Sequence, residues 1–226
     1  DPISDEAFYD SFKTLIEKTP KTSSRSFFNQ LIGGRRSRAL LGDLVASVLN
    51  NSMYTYKVAG PMVGVEREIV NKLAQMLGYS NEASGTIASG GSMSNFMAMV
   101  LARDAKSEAV QLGVQQQMIL YTSEASHYSI AKNASLMGIG RKQVRFIPTN
   151  ELGEMDMNQL ELEIQKDRAT NNLPFFVNVH SGTTVLGAFD NIHEAAAICK
   201  KYGLWLHVDG AYCGSVIFSE KYKQFL

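Results

Sequence analysis

The sequence predicts an α/β protein whose core is a mostly parallel sheet flanked by helices. Three observations carry that prediction. From Met118 onward, short apolar runs alternate with segments of helical period. The helical segments are long enough to cross a sheet, which parallel neighbours require and hairpins do not. Glycines and polar residues close the segments where a turn is needed.

Each element can be justified in order. The run "MILYTSE" (118–124) reads as a buried strand, and "HYSIAKNASLMG" (127–138) as a helix closed by Gly138. The strand "QVRFIPT" follows, then "DMNQLELEIQKDRA", whose leucines and charges recur at helical spacing after Asp156, a good N-cap. The strand "FFVNVH", the helix "IHEAAAICKKYG" and the strand "WLHVD" complete the alternation. Upstream, "LLGDLVASVLNN" and "PMVGVEREIVNKLAQMLGYS" carry apolar residues at three- and four-residue steps, the second ending near Gly78. Residues 1–57 show no strand signal and read as a helical arm, leaving 58–226 as the main domain.

Bulk properties narrow the function classes. The chain has 226 residues, 45% hydrophobic and 19% charged, which suits a soluble domain with a sizeable core. Its 22 basic residues balance 22 acidic ones, so no net field selects nucleic acid or an anionic membrane as partner. No apolar run reaches the ~18 residues that span a bilayer. Two cysteines, Cys199 and Cys213, build no disulfide framework, and a cytoplasmic location is expected. The four histidines and two cysteines lack the close spacings of a zinc site, so no metal is expected. No G-x-S-x-G elbow supports a serine hydrolase.

Four stretches carry candidate chemistry. In "GTIASGGSMSNFMAMVLAR", an apolar stripe of Met93, Met97, Val100 and Leu101 marks a helix that begins at Gly91 and Ser92. Free N–H groups, the positive end of the helix dipole and a hydroxyl suit a phosphate; a tight turn with a capping serine is the alternative. Gly85 and Gly90 have the spacing of a nucleotide loop, but Gly91 stands where that motif has lysine, which points away from a triphosphate.

The second stretch puts His127 just past a strand's C-terminal end, where ligands of open α/β sheets bind. It is either a helix-start residue or an imidazole for stacking and proton transfer. The third, "NVHSGTTVLGAFD", sets Ser181, Gly182, Thr183 and Thr184 in a polar turn, and His180 beside them reads as structural. In the fourth, "WLHVDGAYCG", a buried strand ends on Asp209 and small residues follow. A carboxylate there needs a hydrogen-bonded or cationic partner. One ligand satisfies these stretches together: pyridoxal 5′-phosphate, with a phosphate for Gly91 and Ser92, a flat ring for His127 and a ring nitrogen for Asp209.

The segments "FFNQL", "YTYKVAGPMVGVE", "ASGGSMSN", "TSEASHYSIAKNA", "SGTTVLGAFD" and "WLHVDGAY" occur in this order from about Phe27 to the end. Together they resemble the pyridoxal-phosphate-dependent group II amino-acid decarboxylases, in the branch of glutamate decarboxylase and cysteine sulfinate decarboxylase. The resemblance implies a fold-type I, aspartate-aminotransferase-like large domain, incomplete at its C-terminus, and a homodimer with active sites at the subunit interface. It also implies residue roles. Gly91 and Ser92 bind the cofactor phosphate, and His127 stacks on the ring and handles a proton. Thr184 contacts the cofactor's oxygen side, Asp209 pairs with the ring nitrogen, and Ala211 packs on the other face. Gln30, Ser52 and Tyr54 correspond to the region that grips the substrate side chain.

The chain departs from the family pattern at several points. Gly210 replaces an alanine, which implies looser packing; His180 stands where a small hydroxyl residue is usual, and Lys57 where glutamate is frequent. The family's Schiff-base lysine follows a histidine, and this chain has no His-Lys pair; Lys221 and Lys223 lie on a stretch expected to be exposed. The expected function is therefore decarboxylation of a small acidic L-amino acid, these residues being the N-terminal portion of the enzyme. Another lyase or a transaminase on the same scaffold, or a non-catalytic product that only binds cofactor or dimerises, are the alternatives.

Overall fold

A computed structural model describes residues 3–226. The chain forms two compact units, one ending at Val63 and the other running Gly64–Leu226. The first contains α1 (Asp5–Lys18), α2 (Ser37–Leu49) and the single turn α3 (Tyr56–Ala59). Ser4 caps α1 by accepting from the Ala7 N–H. Phe8, Phe12, Leu15 and Ile16 of α1, and Leu41, Leu44 and Val48 of α2, are exposed, so neither helix hides an apolar face.

The second unit holds α4 (Met62–Met76, which starts at the boundary), α5 (Gly91–Lys106), the turn α6 (Ala109–Leu112), β1 (Met118–Ser123), α7 (Ser129–Leu136), β2 (Val144–Ile147), α8 (Met157–Ala169), β3 (Leu173–His180), α9 (Ile192–Tyr202) and β4 (Trp205–Asp209). The strands form one sheet in the order β2-β1-β3-β4, and every pairing is parallel. The α/β class and the strand and helix assignments from Met118 onward are thus observed, with no end moved by more than two residues. Among the described residues no helix is long and apolar enough to cross a membrane.

Alternation along the strands explains the layering. Ile119 and Tyr121 of β1 and Val177 and Val179 of β3 pack with Leu160 and Ile164 of α8 and Ala195 and Ile198 of α9. On the opposite face, Met118, Leu120 and Phe176 pack with Met99 and Ala102 of α5 and Ile130 and Ala134 of α7. β3 is buried almost throughout, as expected for a central strand of a sheet covered on both sides. Asp156 caps α8 through the Gln159 N–H at 3.0 Å, and Asn191 caps α9 through the Glu194 N–H at 3.1 Å.

The structure corrects the expected burial of α5. Met93 and Leu101 are exposed, and the buried residues are Asn95, Met99 and Ala102. The helix sits over a part of the sheet that presents His207 and Asp209, so its inner face needs a polar group near the N-terminus.

Candidate active site

The parallel sheet brings the ends of β1, β3 and β4 to one edge, and the candidate residues collect there. The backbone N–H of Ser181, just past β3, donates to the Asp209 carbonyl at 3.0 Å, and the Cys213 N–H returns to the Ser181 carbonyl at 3.1 Å. The loop carrying Thr183 and Thr184 is thereby tied to the loop that follows Asp209. Thr184 itself is half-buried in that loop.

The start of α5 differs from those of α8 and α9. α8 and α9 have side-chain caps, whereas Gly90 at the α5 N-cap offers none. The Gly91 and Ser92 N–H groups and the Ser92 hydroxyl have no hydrogen-bond partner among the described residues. The turn is nevertheless held in place: Asn133 of α7, buried, donates to the Ser92 carbonyl at 2.9 Å. A Cβ on Gly91 would lie 3.6 Å from that of Ala211, so the open helix start meets the Asp209 loop directly. Free N–H donors at a helix start are an anion site in waiting.

Asp209 is half-buried at the end of β4. Its Oδ2 accepts from Asn95 Nδ2 at 2.9 Å and its Oδ1 from the Ala211 N–H at 3.1 Å. A carboxylate has about four acceptor positions, and no lysine or arginine pairs with this one among the described residues. Room for a further donor, cationic for preference, is therefore built in.

Asn95 also reaches the other side of the site. Its Nδ2 lies 3.0 Å from Ser129 Oγ, which is 2.8 Å from His127 Nδ1. Its Oδ1 faces His207 Nε2 at 2.9 Å. Burial, with a smaller contribution from His180, drives the His207 pKa down to about 4 against the pull of Asp209, so its ring is neutral at pH 7. His127 is half-buried, and the Tyr128 ring lies against it with centroids 4.2 Å apart.

Gly91, Ser92, His127, Asp209 and Ala211 are thus assembled at one sheet edge. Asn95, Ser129 and His207 join them and were missed from the sequence. The period-2 alternation in "WLHVD" was the available signal for His207, since it shares a strand face with Asp209. Gln30, Ser52 and Tyr54 lie in the first unit, all exposed, with the Tyr54 N–H donating to Ser52 Oγ at 3.2 Å. His180 is structural, as expected: its ring and its own N–H both meet the Asp190 carboxylate, at 3.0 and 2.7 Å. Lys221 and Lys223 are exposed, Lys223 pairing with Glu220. The expectation for Gly210 is overturned. A Cβ there would stand 3.2 Å from the Gly214 Cα, so glycine permits a tight turn and does not loosen packing.

The donors and acceptors fit pyridoxal 5′-phosphate. Unpaired N–H groups and a hydroxyl at α5 match a phosphate, and an acceptor-rich carboxylate without a cation matches a protonated ring nitrogen. An all-parallel sheet covered by helices, with such a site at its edge, defines a cofactor-dependent α/β enzyme domain. The chain belongs to the pyridoxal-dependent decarboxylase family, whose conserved domain matches residues 3–226.

Among its relatives, cysteine sulfinic acid decarboxylase of Mus musculus is 39% identical over 224 residues, covering 98% of this chain and 45% of the relative. Glutamate decarboxylase of Drosophila melanogaster is 35% identical over 214 residues, covering 93% of this chain and 42% of the relative. The crystal structure of mouse CSAD superposes with a TM-score of 0.95 at 38% identity, covering 100% of this chain and 48% of that one. The glutamate decarboxylase domain of a Vibrio parahaemolyticus diaminobutyrate-pyruvate transaminase and L-2,4-diaminobutyrate decarboxylase superposes at 0.91 with 29% identity, covering 100% of this chain and 51% of that one. The chain spans about half the length of the proteins it matches, and it has the fold of these decarboxylases.

Proposed function

We propose that this chain is the cofactor-binding portion of a pyridoxal-5′-phosphate-dependent decarboxylase. Its substrate would be a small acidic L-amino acid of the glutamate, aspartate or cysteine sulfinate class, yielding an amine and carbon dioxide. The observation that carries the reading is the closeness of Gly91 to Ala211, where an added Cβ would come to 3.6 Å, which sets a phosphate-ready helix start beside the loop of Asp209. The names of the relatives, which decarboxylate cysteine sulfinic acid and glutamate, support the substrate class.

Gly91 and Ser92 would hold the phosphate through their N–H groups and the Ser92 hydroxyl. Asp209 would keep the ring nitrogen protonated, Ala211 and Thr184 would line the ring, and His127 would supply an imidazole for contact and proton transfer. When bound, the cofactor supplies the electron sink for the bond broken at Cα. Asn95 and the Ala211 N–H orient the Asp209 carboxylate, so its charge is aimed before any ligand arrives. Gln30, Ser52 and Tyr54 would contact the substrate side chain, in a cytoplasmic homodimer whose active sites lie at the subunit interface.

The test is carbon dioxide release by the intact protein from glutamate, aspartate and cysteine sulfinate, with and without added cofactor. Release from at least one of them, dependent on the cofactor, is the expected result. A keto-acid product without carbon dioxide would replace the decarboxylase by a transaminase. Failure to retain pyridoxal 5′-phosphate would remove the enzyme reading altogether.

A further inference from the structure

We propose that Asn95 and Ser129 are positioning residues that join Asp209 to His127 in one hydrogen-bond network with fixed donors, so that neutral His127 carries its proton on Nε2. The donors follow from the groups themselves. A carboxylate only accepts, so the Asn95 atom 2.9 Å from Asp209 Oδ2 is the amide nitrogen. Its second hydrogen points to Ser129 Oγ at 3.0 Å, and the amide oxygen is left to accept from His207 Nε2 at 2.9 Å. Asn95 thus uses both of its hydrogens and its oxygen.

Ser129 is fully buried, and its hydroxyl has two polar neighbours among the described residues, Asn95 Nδ2 and His127 Nδ1. It accepts from the first, so its single hydrogen goes to the second, 2.8 Å away. The Ser129 backbone N–H also faces His127 Nδ1, at 3.3 Å. Two donors converge on that nitrogen, which is therefore the lone-pair side of the ring. The opposite tautomer would set N–H against N–H and leave the buried Ser129 hydrogen with no acceptor. The Tyr128 ring, 4.2 Å from the imidazole centroid to centroid, covers one face and restrains the ring further.

Two consequences follow. Any proton that His127 delivers leaves from Nε2, and rotating the ring to offer Nδ1 breaks the network. Asp209 and His127 are also oriented from one hub, since the Asn95 amide donates to Asp209 and to Ser129, and Ser129, as acceptor and donor at once, passes its own hydrogen to His127. The tautomer stands on hydrogen-bond geometry alone, while its use in catalysis rests on the proposed cofactor reading.

The experiment is a two-bond nitrogen–proton correlation spectrum of the intact, cofactor-free protein labelled with ¹⁵N-histidine, at a mildly alkaline pH where imidazoles are neutral. The His127 signals are identified by their loss in His127→Gln. In the wild type, Nε2 should show the shift of a protonated nitrogen and Nδ1 that of an unprotonated one. Ser129→Ala should shift both toward a tautomer mixture, and Ser129→Thr, which keeps the hydroxyl, should restore the wild-type pattern. Protonated Nδ1 in the wild type, or an unchanged pattern in Ser129→Ala, overturns the proposal; the wild-type spectrum decides alone should the alanine variant not fold. In the loaded enzyme, Ser129→Ala should lower kcat about tenfold or more with KM little changed, as loss of an orienting partner does. Wild-type protein with the expected tautomer that retains no pyridoxal 5′-phosphate overturns the cofactor reading and leaves the hydrogen-bond network standing.

Discussion

Asp190 Oδ2 accepts the backbone N–H of His180 at 2.7 Å and faces the Nδ1 of the same residue at 3.0 Å, with both side chains almost completely buried. Its Oδ1 accepts from the Met155 N–H at 2.7 Å. One carboxylate therefore closes the end of β3 and the turn before α8 at once. Asp190→Ala leaves two backbone donors and a ring nitrogen buried without a partner. A loss of about 3–5 kcal/mol is expected, in the range found when one member of a buried polar pair is removed. Urea unfolding of the variant against wild type measures it; a loss below about 1 kcal/mol would show that the pair is not a structural clamp.

A second buried carboxylate sets part of the acid sensitivity. Asp167 of α8 accepts from Arg145 of β2 at 2.7 and 3.0 Å, from Asn172 at 2.8 Å and from the Tyr121 hydroxyl at 3.0 Å. Burial pushes its pKa up, but the bonds from Arg145, Asn172 and Tyr121 together outweigh that and hold it below the usual carboxylate value. A depressed folded value contributes stability above the unfolded pKa of ~3.9, which is lost as pH falls through the folded value. Asp167→Asn should cost about 3 kcal/mol near pH 7, and its deficit should shrink below about pH 4. Urea midpoints of both proteins across that range would settle it, and a constant deficit would refute the linkage.

How much of this could be read from the chain depends on what each residue answers to. The strands were legible because apolar runs such as "FFVNVH" answer to burial on both faces, and α8 because Asp156 is a local cap. Asp209 was legible as a carboxylate closing an apolar strand. Asn95 was not, because the apolar stripe of Met93, Met97, Val100 and Leu101 pointed to a different face of α5. That face is chosen by the sheet beneath, where His207 and Asp209 demand a polar partner; local hydrophobicity has no access to that demand. Asn95, Met99 and Ala102 form an equally regular stripe, but only the tertiary contact makes it the buried one. Gly210 was misread for a related reason, since its close neighbour is the backbone of Gly214, across a turn whose shape the sequence alone does not fix.

Gly182 tests the link between the Thr184 loop and the Asp209 loop. Its φ of +83° favours glycine, and an added Cβ would overlap the Cys213 side chain. Gly182→Ala should therefore cost about 3 kcal/mol or more, of which the backbone conformation accounts for about 1. Adding Cys213→Gly removes the overlap while keeping the backbone strain, so the double variant should be more stable than the two separate losses imply. A double-mutant cycle by urea unfolding reads the difference. Simple additivity would mean that the two loops are not in the contact described.

His207 should make the protein less stable in mild acid. Its ring stacks on Phe176 with centroids 5.5 Å apart and donates to Asn95, and burial holds its pKa down to about 4. An unfolded histidine takes a proton near pH ~6.5. Between those values the unfolded chain binds more protons than the folded one, so stability rises with pH across the window and falls as pH drops through it. The charged and titratable groups acting on the ring are Asp209, which opposes the shift, and His180, which adds to it. The full effect is at most about 3 kcal/mol. His207→Gln keeps an N–H for the Asn95 oxygen but cannot titrate, so this variant should lose less stability than wild type between about pH 6.5 and pH 4. Because every other titrating group is shared, the difference between their urea-unfolding curves across that window isolates His207. Parallel curves would mean that the ring takes up its proton in the folded state, and the neutral donor to Asn95 would have to be abandoned.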